Sequence, residues 1–425
     1  MLNVVKVFVF LLSFTLLSAQ DTLEVHLSTK KKQLKQIYLG RCEKNEFTTL
    51  FSFDLDRNGF HSLAPFRTEW EEQIHQRDFD YTFWKRENIA ACISLEVTNL
   101  SLSVLVHQID QRISKRYQCE KNRRAIHQLA DTIQKELTGI EGIASSRILF
   151  TERVKNPDTS EWFSTIWVSD WDGANACRLT TTKGYCLSPG FLPSGGYYYA
   201  SSEKGQSKIY RGTFSDAKTE LWISLRGNQM LPTIDRKESQ IAYITDLAGR
   251  PDLFIQSIAN QQLGRPRQLF SYPRATQASP TFSPDGRKIA FVSDKDGSPK
   301  IYLLEIPNPQ SRKVPQPKLL TRKNRENSAP AWSPDGTKLA YSARCDGFRQ
   351  IWIYEFATDQ EWKLTQGDEN KENPSWASDS LHLIYNTETN DVSELYLIDL
   401  NNQEPFQITS GFGQKRFAAW ELKKS

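Results

Sequence analysis

Apolar and polar residues alternate in short runs through most of the chain, and in two places one run is nearly copied. Pro280-Thr281-Phe282-Ser283-Pro284-Asp285-Gly286-Arg287-Lys288-Ile289-Ala290-Phe291-Val292 returns as Pro330-Ala331-Trp332-Ser333-Pro334-Asp335-Gly336-Thr337-Lys338-Leu339-Ala340-Tyr341-Ser342. Each copy predicts an apolar strand, a tight turn and an alternating strand, then an Asp-Gly loop and a third strand at 300–306 or 350–356. The turn has a physical cause: Pro presets φ at the corner, Asp bonds its own backbone, and Gly accepts φ > 0. Taking the proline that opens the first strand as a marker gives Pro189, Pro232, Pro280, Pro330 and Pro374, at intervals of 43 to 50 residues. Units of that length with several strands each suit the blades of a β-propeller.

The second-strand pattern of Ile289-Ala290-Phe291 also occurs at 241–243, 197–199, 339–341 and 383–385, and once more as Ile148-Leu149-Phe150. No marker strand precedes that last instance. Phe417-Ala418-Ala419-Trp420 resembles Pro374-Ser375-Trp376 and has no second strand after it. Pairing the two makes a sixth blade from both ends of the repeat region, which closes the ring and leaves no open edge. The expected fold is an α+β N-terminal domain followed by an all-β six-bladed β-propeller, with boundaries at 20–141 and 142–425.

Before the repeats, 36–39 and the pair 90–97 and 101–109 read as strands, the latter a hairpin around Thr98-Asn99. Residues 45–55 read as a short helix. At 122–137, Ile126, Leu129, Ala130, Ile133 and Leu137 fall at helical spacing, and Gly139 stops the helix. Residues 1–19 carry one lysine, an apolar core and a small residue at Ala19, the pattern of a signal peptide. That run is too short to span a bilayer, and no later segment is apolar enough.

Composition changes this picture little. The 54 basic and 50 acidic residues leave a net charge of +4, which gives no reason to expect nucleic acid or direct membrane insertion. Cysteines at 42, 92, 119, 177, 186 and 345 allow fifteen pairings and have no zinc-like spacing. There is no G-x-S-x-G, H-E-x-x-H or phosphate-cradling loop, and five of the six histidines precede the propeller. No catalytic residue, cofactor or metal is expected. The competing reading is a secreted hydrolase or lactonase whose axial carboxylates hold calcium.

Candidate chemistry lies on loops. If the marker strand is innermost, the loop before it and the loop between the second and third strands open on one face, while the Pro-Asp-Gly turns point away and serve structure alone. The first set offers Arg274, Gln277, Arg325, Glu326, Asn327, Glu369, Asn370, Glu372, Asn373 and Lys415. Mixed signs suit a polar rim around a protein contact better than a cation cage.

The junction Lys135-Glu136-Leu137-Thr138-Gly139-Ile140-Glu141-Gly142, then Val168-Ser169-Asp170-Trp171-Asp172-Gly173, the Ser-Pro-Asp-Gly units and the terminal Phe417–Trp420 stretch together resemble the TolB family. The resemblance implies a soluble, monomeric periplasmic protein of the Tol-Pal system of a Gram-negative bacterium, without catalysis. It implies that the propeller face receives the Pal lipoprotein. The extreme mature N-terminus would engage a TolA-like inner-membrane protein, with Asp21, Thr22, Leu23, Glu24 and Val25 standing in that place. It further implies support of outer-membrane integrity and of envelope constriction during cell division.

Overall fold

The computed structural model describes residues 34–423 apart from 157, 182–183, 204, 216–217, 309–315 and 390–391. The N-terminal part runs β1 (Lys35–Leu39), α1 (Glu46–Asp56), β2 (His61–Leu63), α2 (Thr68–Ile74), α3 (Tyr81–Arg86), β3 (Ile89–Val97), β4 (Ser101–Gln108), β5 (Ile113–Glu120) and α4 (Arg123–Thr138). Its five strands form one sheet in the order β2-β1-β3-β4-β5, parallel at β2-β1-β3 and antiparallel beyond. The predicted strands, hairpin and two helices are all present. Asn122 caps α4 by accepting from the Ala125 amide, and Gly139 ends it at φ 76°, a conformation that costs a residue with a Cβ. The strands β2 and β5 and helices α2 and α3 were not foreseen. β5 is an exposed edge bearing Lys115 and Arg116, so it lacks apolar alternation, and its charges protect an open edge.

Six four- or five-stranded sheets follow, radiating from inner strands Cys186–Phe191, Gln229–Ile234, Gln277–Phe282, Asn327–Trp332, Asn370–Trp376 and Gln414–Trp420. The last of these pairs antiparallel with Arg147–Lys155, so the sixth blade joins the two ends of the ring as expected. Trp420 is buried and its indole donates to Ser146 Oγ at 2.7 Å, while Glu421 takes both sides of the Arg147 guanidinium.

The second strands are apolar at consecutive positions because both of their faces are buried. Ile289 and Phe291 pack against Ala242, Ile244 and Ile255 of the preceding blade. Ala290 and Val292, pointing oppositely at period two, pack against Leu339 and Tyr341 of the next. Each buried Ile or Phe contributes roughly 1.5–3 kcal/mol by removal from water, so neighbouring blades hold each other.

One backbone feature recurs in all six inner strands. The residue before the marker position, Ser188, Leu231, Ser279, Ala329, Asn373 or Phe417, has φ between 45° and 54°. The pairing register shifts there in every blade. This is a repeated β-bulge whose extra residue sits in the left-handed region.

The turn face does more than close hairpins, within the structural role expected of it. The α/β part packs on it. Phe53 lies 5.5 Å from Trp171 and 5.3 Å from Phe406, ring centre to ring centre. Gly59 sits against Leu381 and His382 with φ 71°, and its carbonyl accepts from Asn401. His382 Nε2 meets the Arg57 carbonyl at 3.0 Å and its Nδ1 meets Asp379 at 2.6 Å. An acceptor at each nitrogen favours the doubly protonated ring. One apolar core therefore runs from the α/β sheet into the fifth and sixth blades. The inner-strand ends of all six blades surround an open cavity of about 950 Å³, lined by Phe282, Trp332, Trp376, Pro284, Pro334 and Arg124 of α4.

Cys42, Cys92, Cys119, Cys177 and Cys345 are free thiols.

Candidate partner-binding face

Antiparallel strands fix which loops share a face: those entering the inner strands and those joining second to third strands lie together, opposite the turns. Their contacts agree. Asn228 donates to Asp246 through its amide and side chain at 2.6 and 2.7 Å, the Thr276 amide donates to Asp294 at 2.7 Å, and the Arg344 amide donates to the Glu326 carbonyl at 3.0 Å.

The candidates on this face separate into two groups. Gln277, Asn327 and Lys415 are buried, which corrects their reading as partner contacts. Gln277 donates to the Pro251 carbonyl and the Asp252 carboxylate. Asn327 donates to the Asn324 carbonyl and to Thr321 Oγ1. Lys415 Nζ donates to the carbonyls of Gly411 and Phe412 and pairs with Glu394. They stand three positions before the marker, and so do the buried Cys186, Gln229 and Lys371. Gln229 likewise donates to the Gly227 carbonyl at 2.9 Å. Gln229, Asn327 and Lys415 thus satisfy groups in their own entry loops, and Gln277 satisfies the loop between second and third strands of the preceding blade, clasps that fix loop shape.

The others reach outward or into the channel rim. Arg274, Arg325 and Glu369 are exposed; Glu326, Asn370, Glu372 and Asn373 are half-buried. Asn370 accepts from the Arg349 amide and Asn373 donates to Asn386, so both also position neighbours. Arg349, which sequence reasoning missed, bridges two blades by reaching Glu326 at 3.5 Å and Glu372 at 3.1 Å. Arg344 reaches Glu326 at 3.7 Å, and Arg416 meets Glu388 at 2.8 Å. Burial, reinforced by the neighbouring Glu388 carboxylate, holds the Glu372 carboxyl above its usual range, while Arg349 and Arg416 pull it down. Three glutamates are matched here by three arginines, so the rim's charge is balanced from within.

Exposed apolar groups also collect on this face. Phe412 is 80% exposed, and Tyr185, Leu247, Tyr272, Phe348 and Val392 are each at least a third exposed, all in its loops. An aromatic and apolar set with paired charges around it is the composition of a protein contact. The signal was available in the loop sequences, where Tyr272, Phe348 and Phe412 interrupt polar runs, but it was hidden by the many core aromatics nearby. The expected N-terminal contact residues Asp21–Val25 lie outside the described residues, as do 390–391 of one predicted loop.

Comparison with known proteins agrees with this architecture. Residues 134–424 match the family model described as the TolB beta propeller domain. Over 387 residues the chain is 41% identical to the Protein TolB homolog of Protochlamydia amoebophila (strain UWE25), covering 83% of this chain and 82% of that one. The Chlamydia pneumoniae homologue is 36% identical over 192 residues, 43% of this chain and 44% of the relative. The crystal structure of TolB from Acinetobacter baumannii shares the fold, with a TM-score of 0.76 at 22% identity, covering 92% of this chain and 97% of that chain. The ring closed by its own terminal strand, the α/β part seated on the turn face and these matches have one meaning: the chain belongs to the TolB family.

Proposed function

We propose that this protein is a non-enzymatic periplasmic scaffold of the Tol-Pal system, and that its loop face docks a Pal-type lipoprotein. The observation that carries the reading is the exposure of Phe412, Phe348 and Tyr272 on one face whose glutamates and arginines pair with one another, with entry loops clasped from beneath by buried Gln229, Asn327 and Lys415. Such a face is shaped before binding, so little ordering entropy is lost on association. Arg274, Arg325, Glu326 and Glu369 supply polar contacts on the same face. In the same reading the segment containing Asp21–Val25 engages a TolA-type inner-membrane partner, and the assembly supports outer-membrane integrity and constriction at division.

Calorimetric titration of the purified protein with the soluble domain of its host's Pal, and separately with calcium, tests this. Pal binding that weakens at least about tenfold in the Phe348→Ala, Phe412→Ala double variant, with an unchanged melting temperature, is expected. Calcium binding without Pal binding would overturn the scaffold reading in favour of the hydrolase. The charge reversal Arg325→Glu with Glu326→Arg should weaken Pal binding by a smaller factor, as contacts at a solvated rim do.

A further inference from the structure

The Val168–Gly173 motif ends the third strand of the closing blade, and its two aspartates face the α/β part rather than the loop face. A ring nitrogen of His127, on α4, and one carboxylate oxygen each of Asp170 and Asp172 all lie within 4.8 Å of one another. His127 is 2% exposed. Its Nδ1 is committed to Asp54 Oδ2 at 2.7 Å, which places the proton there and leaves Nε2 with a lone pair. Among the described residues, that buried Nε2 has no hydrogen-bond partner. Asp54 is itself held by the Trp171 indole at 3.2 Å, so the carboxylate that orients the imidazole is fixed.

Charge points the same way. Asp54, Asp131, Asp170 and Asp172 gather on this seam, and the cations paired with them are Arg123, on Asp170 and Asp172, and Lys423, on Asp131. Four carboxylates against two cations contrasts with the balanced glutamates and arginines of the channel rim. A carboxylate on the far nitrogen of a histidine is the outer-shell arrangement that orients imidazole toward a metal. One imidazole nitrogen and two carboxylate oxygens suit a zinc-class divalent ion with water completing the shell. Ligand atoms around such an ion stand about 3.3 Å apart, given bonds of about 2.0 Å. The 171–176 turn would therefore close toward α4 on binding.

We propose that His127, Asp170 and Asp172 bind a zinc-class divalent cation at the seam between α4 and the closing blade, with Asp54 orienting the imidazole and Arg123 holding the two aspartates until the ion displaces it. Arg123 is about one-third exposed and has a path into solvent when it leaves. The bound ion joins a ligand from the α/β part to two from the propeller and thereby ties the halves together.

Tag-free protein stripped with chelator is titrated with Zn²⁺ by calorimetry, and with Co²⁺ by visible absorbance as a probe of an ordered nitrogen–oxygen site. The expected result is one ion per chain, a melting temperature raised by Zn²⁺, and binding on the order of tenfold tighter in Arg123→Gln, where the competing charged hydrogen bonds are gone. His127→Gln and Asp172→Asn should each weaken binding about 100-fold or more. Since His127→Gln could disrupt the seam, Asp172→Asn in the partly exposed turn decides, with its melt in chelator confirming the fold. Absence of stoichiometric Zn²⁺ binding in the natural chain, or binding that Asp172→Asn leaves unchanged, overturns the proposal. Binding confined to Arg123→Gln also overturns it.

Discussion

On the loop face the aromatic groups Phe412, Phe348 and Tyr272 stand in solvent, whereas on the turn face Trp171, Leu381 and Trp420 are buried under α1, the 57–59 turn and the 143–146 segment or within the closing blade. Both faces come from the same repeating unit. They differ in what satisfies them: the loops are held by buried side chains of their own strands, while the turns of two blades are held by another part of the chain. A face finished from within remains free for a partner, and a face finished by a neighbouring domain is already occupied.

Four changes would break or sharpen this contrast. The largest removes both faces together. Deleting residues 414–425 strips the inner strand from the closing blade, bares Arg147–Lys155 and orphans the Ser146–Trp420 contact. Loss of cooperative thermal unfolding is expected, and a truncated protein that melts normally would refute closure by this strand. Next, Gly59→Ala attacks the turn face alone. A Cβ there would lie 2.7 Å from Leu381 and 2.8 Å from the His382 ring at positive φ, so about 2–4 kcal/mol of stability should be lost in denaturant titration. Pal affinity at a temperature where the variant is folded should remain unchanged.

Third, Asn327→Ala tests whether the loop face depends on its clasps. The Asn324 carbonyl and Thr321 hydroxyl lose their donor, at a cost of about 1–3 kcal/mol. Here stability and Pal binding should fall together, unlike the effect of Phe348 and Phe412. The smallest effect concerns pH. Burial alone would push His382 down and Asp379 up, but each outweighs that for the other, lifting His382 above its ordinary range and holding Asp379 below its own. The pair contributes fully between the ordinary values of about 4 for aspartate and 6.5 for histidine. Its contribution declines as pH rises through the lifted His382 value, or falls through the lowered Asp379 value. The melting-temperature gap between the natural protein and His382→Asn should therefore be widest near pH 5–6 and shrink by a few degrees, about 2–4 °C, at high pH.

The propeller was legible because its signals are local and repeated. Ser-Pro-Asp-Gly sets a turn by backbone chemistry, and Ile289-Ala290-Phe291 betrays a strand buried on both faces. The closure was legible as well, since an unpaired second strand at Ile148 needed the first strand found at Phe417. What escaped was set by three-dimensional context. Gln277, Asn327 and Lys415 look like exposed loop residues, yet the positive-φ bulge that follows them turns their side chains back under the loops. Arg349 and Arg416 lie on strands that read only as structure, and their bridges to Glu372 and Glu388 depend on the angle between blades. His127 is one of five histidines before the propeller, and only the fold sets it against Asp170 and Asp172.

The closing strand also imposes an order in time. Glu421 grips Arg147 across 274 positions of sequence, so the ring cannot shut before residue 421 has been made. Until residues 414–420 exist, every folding species carries an unpaired Arg147–Lys155 edge, the kind of surface that recruits other strands. Contacts this distant also slow the final step. A chain cut short before residue 414 is thus left open at its sixth blade and marked by that edge.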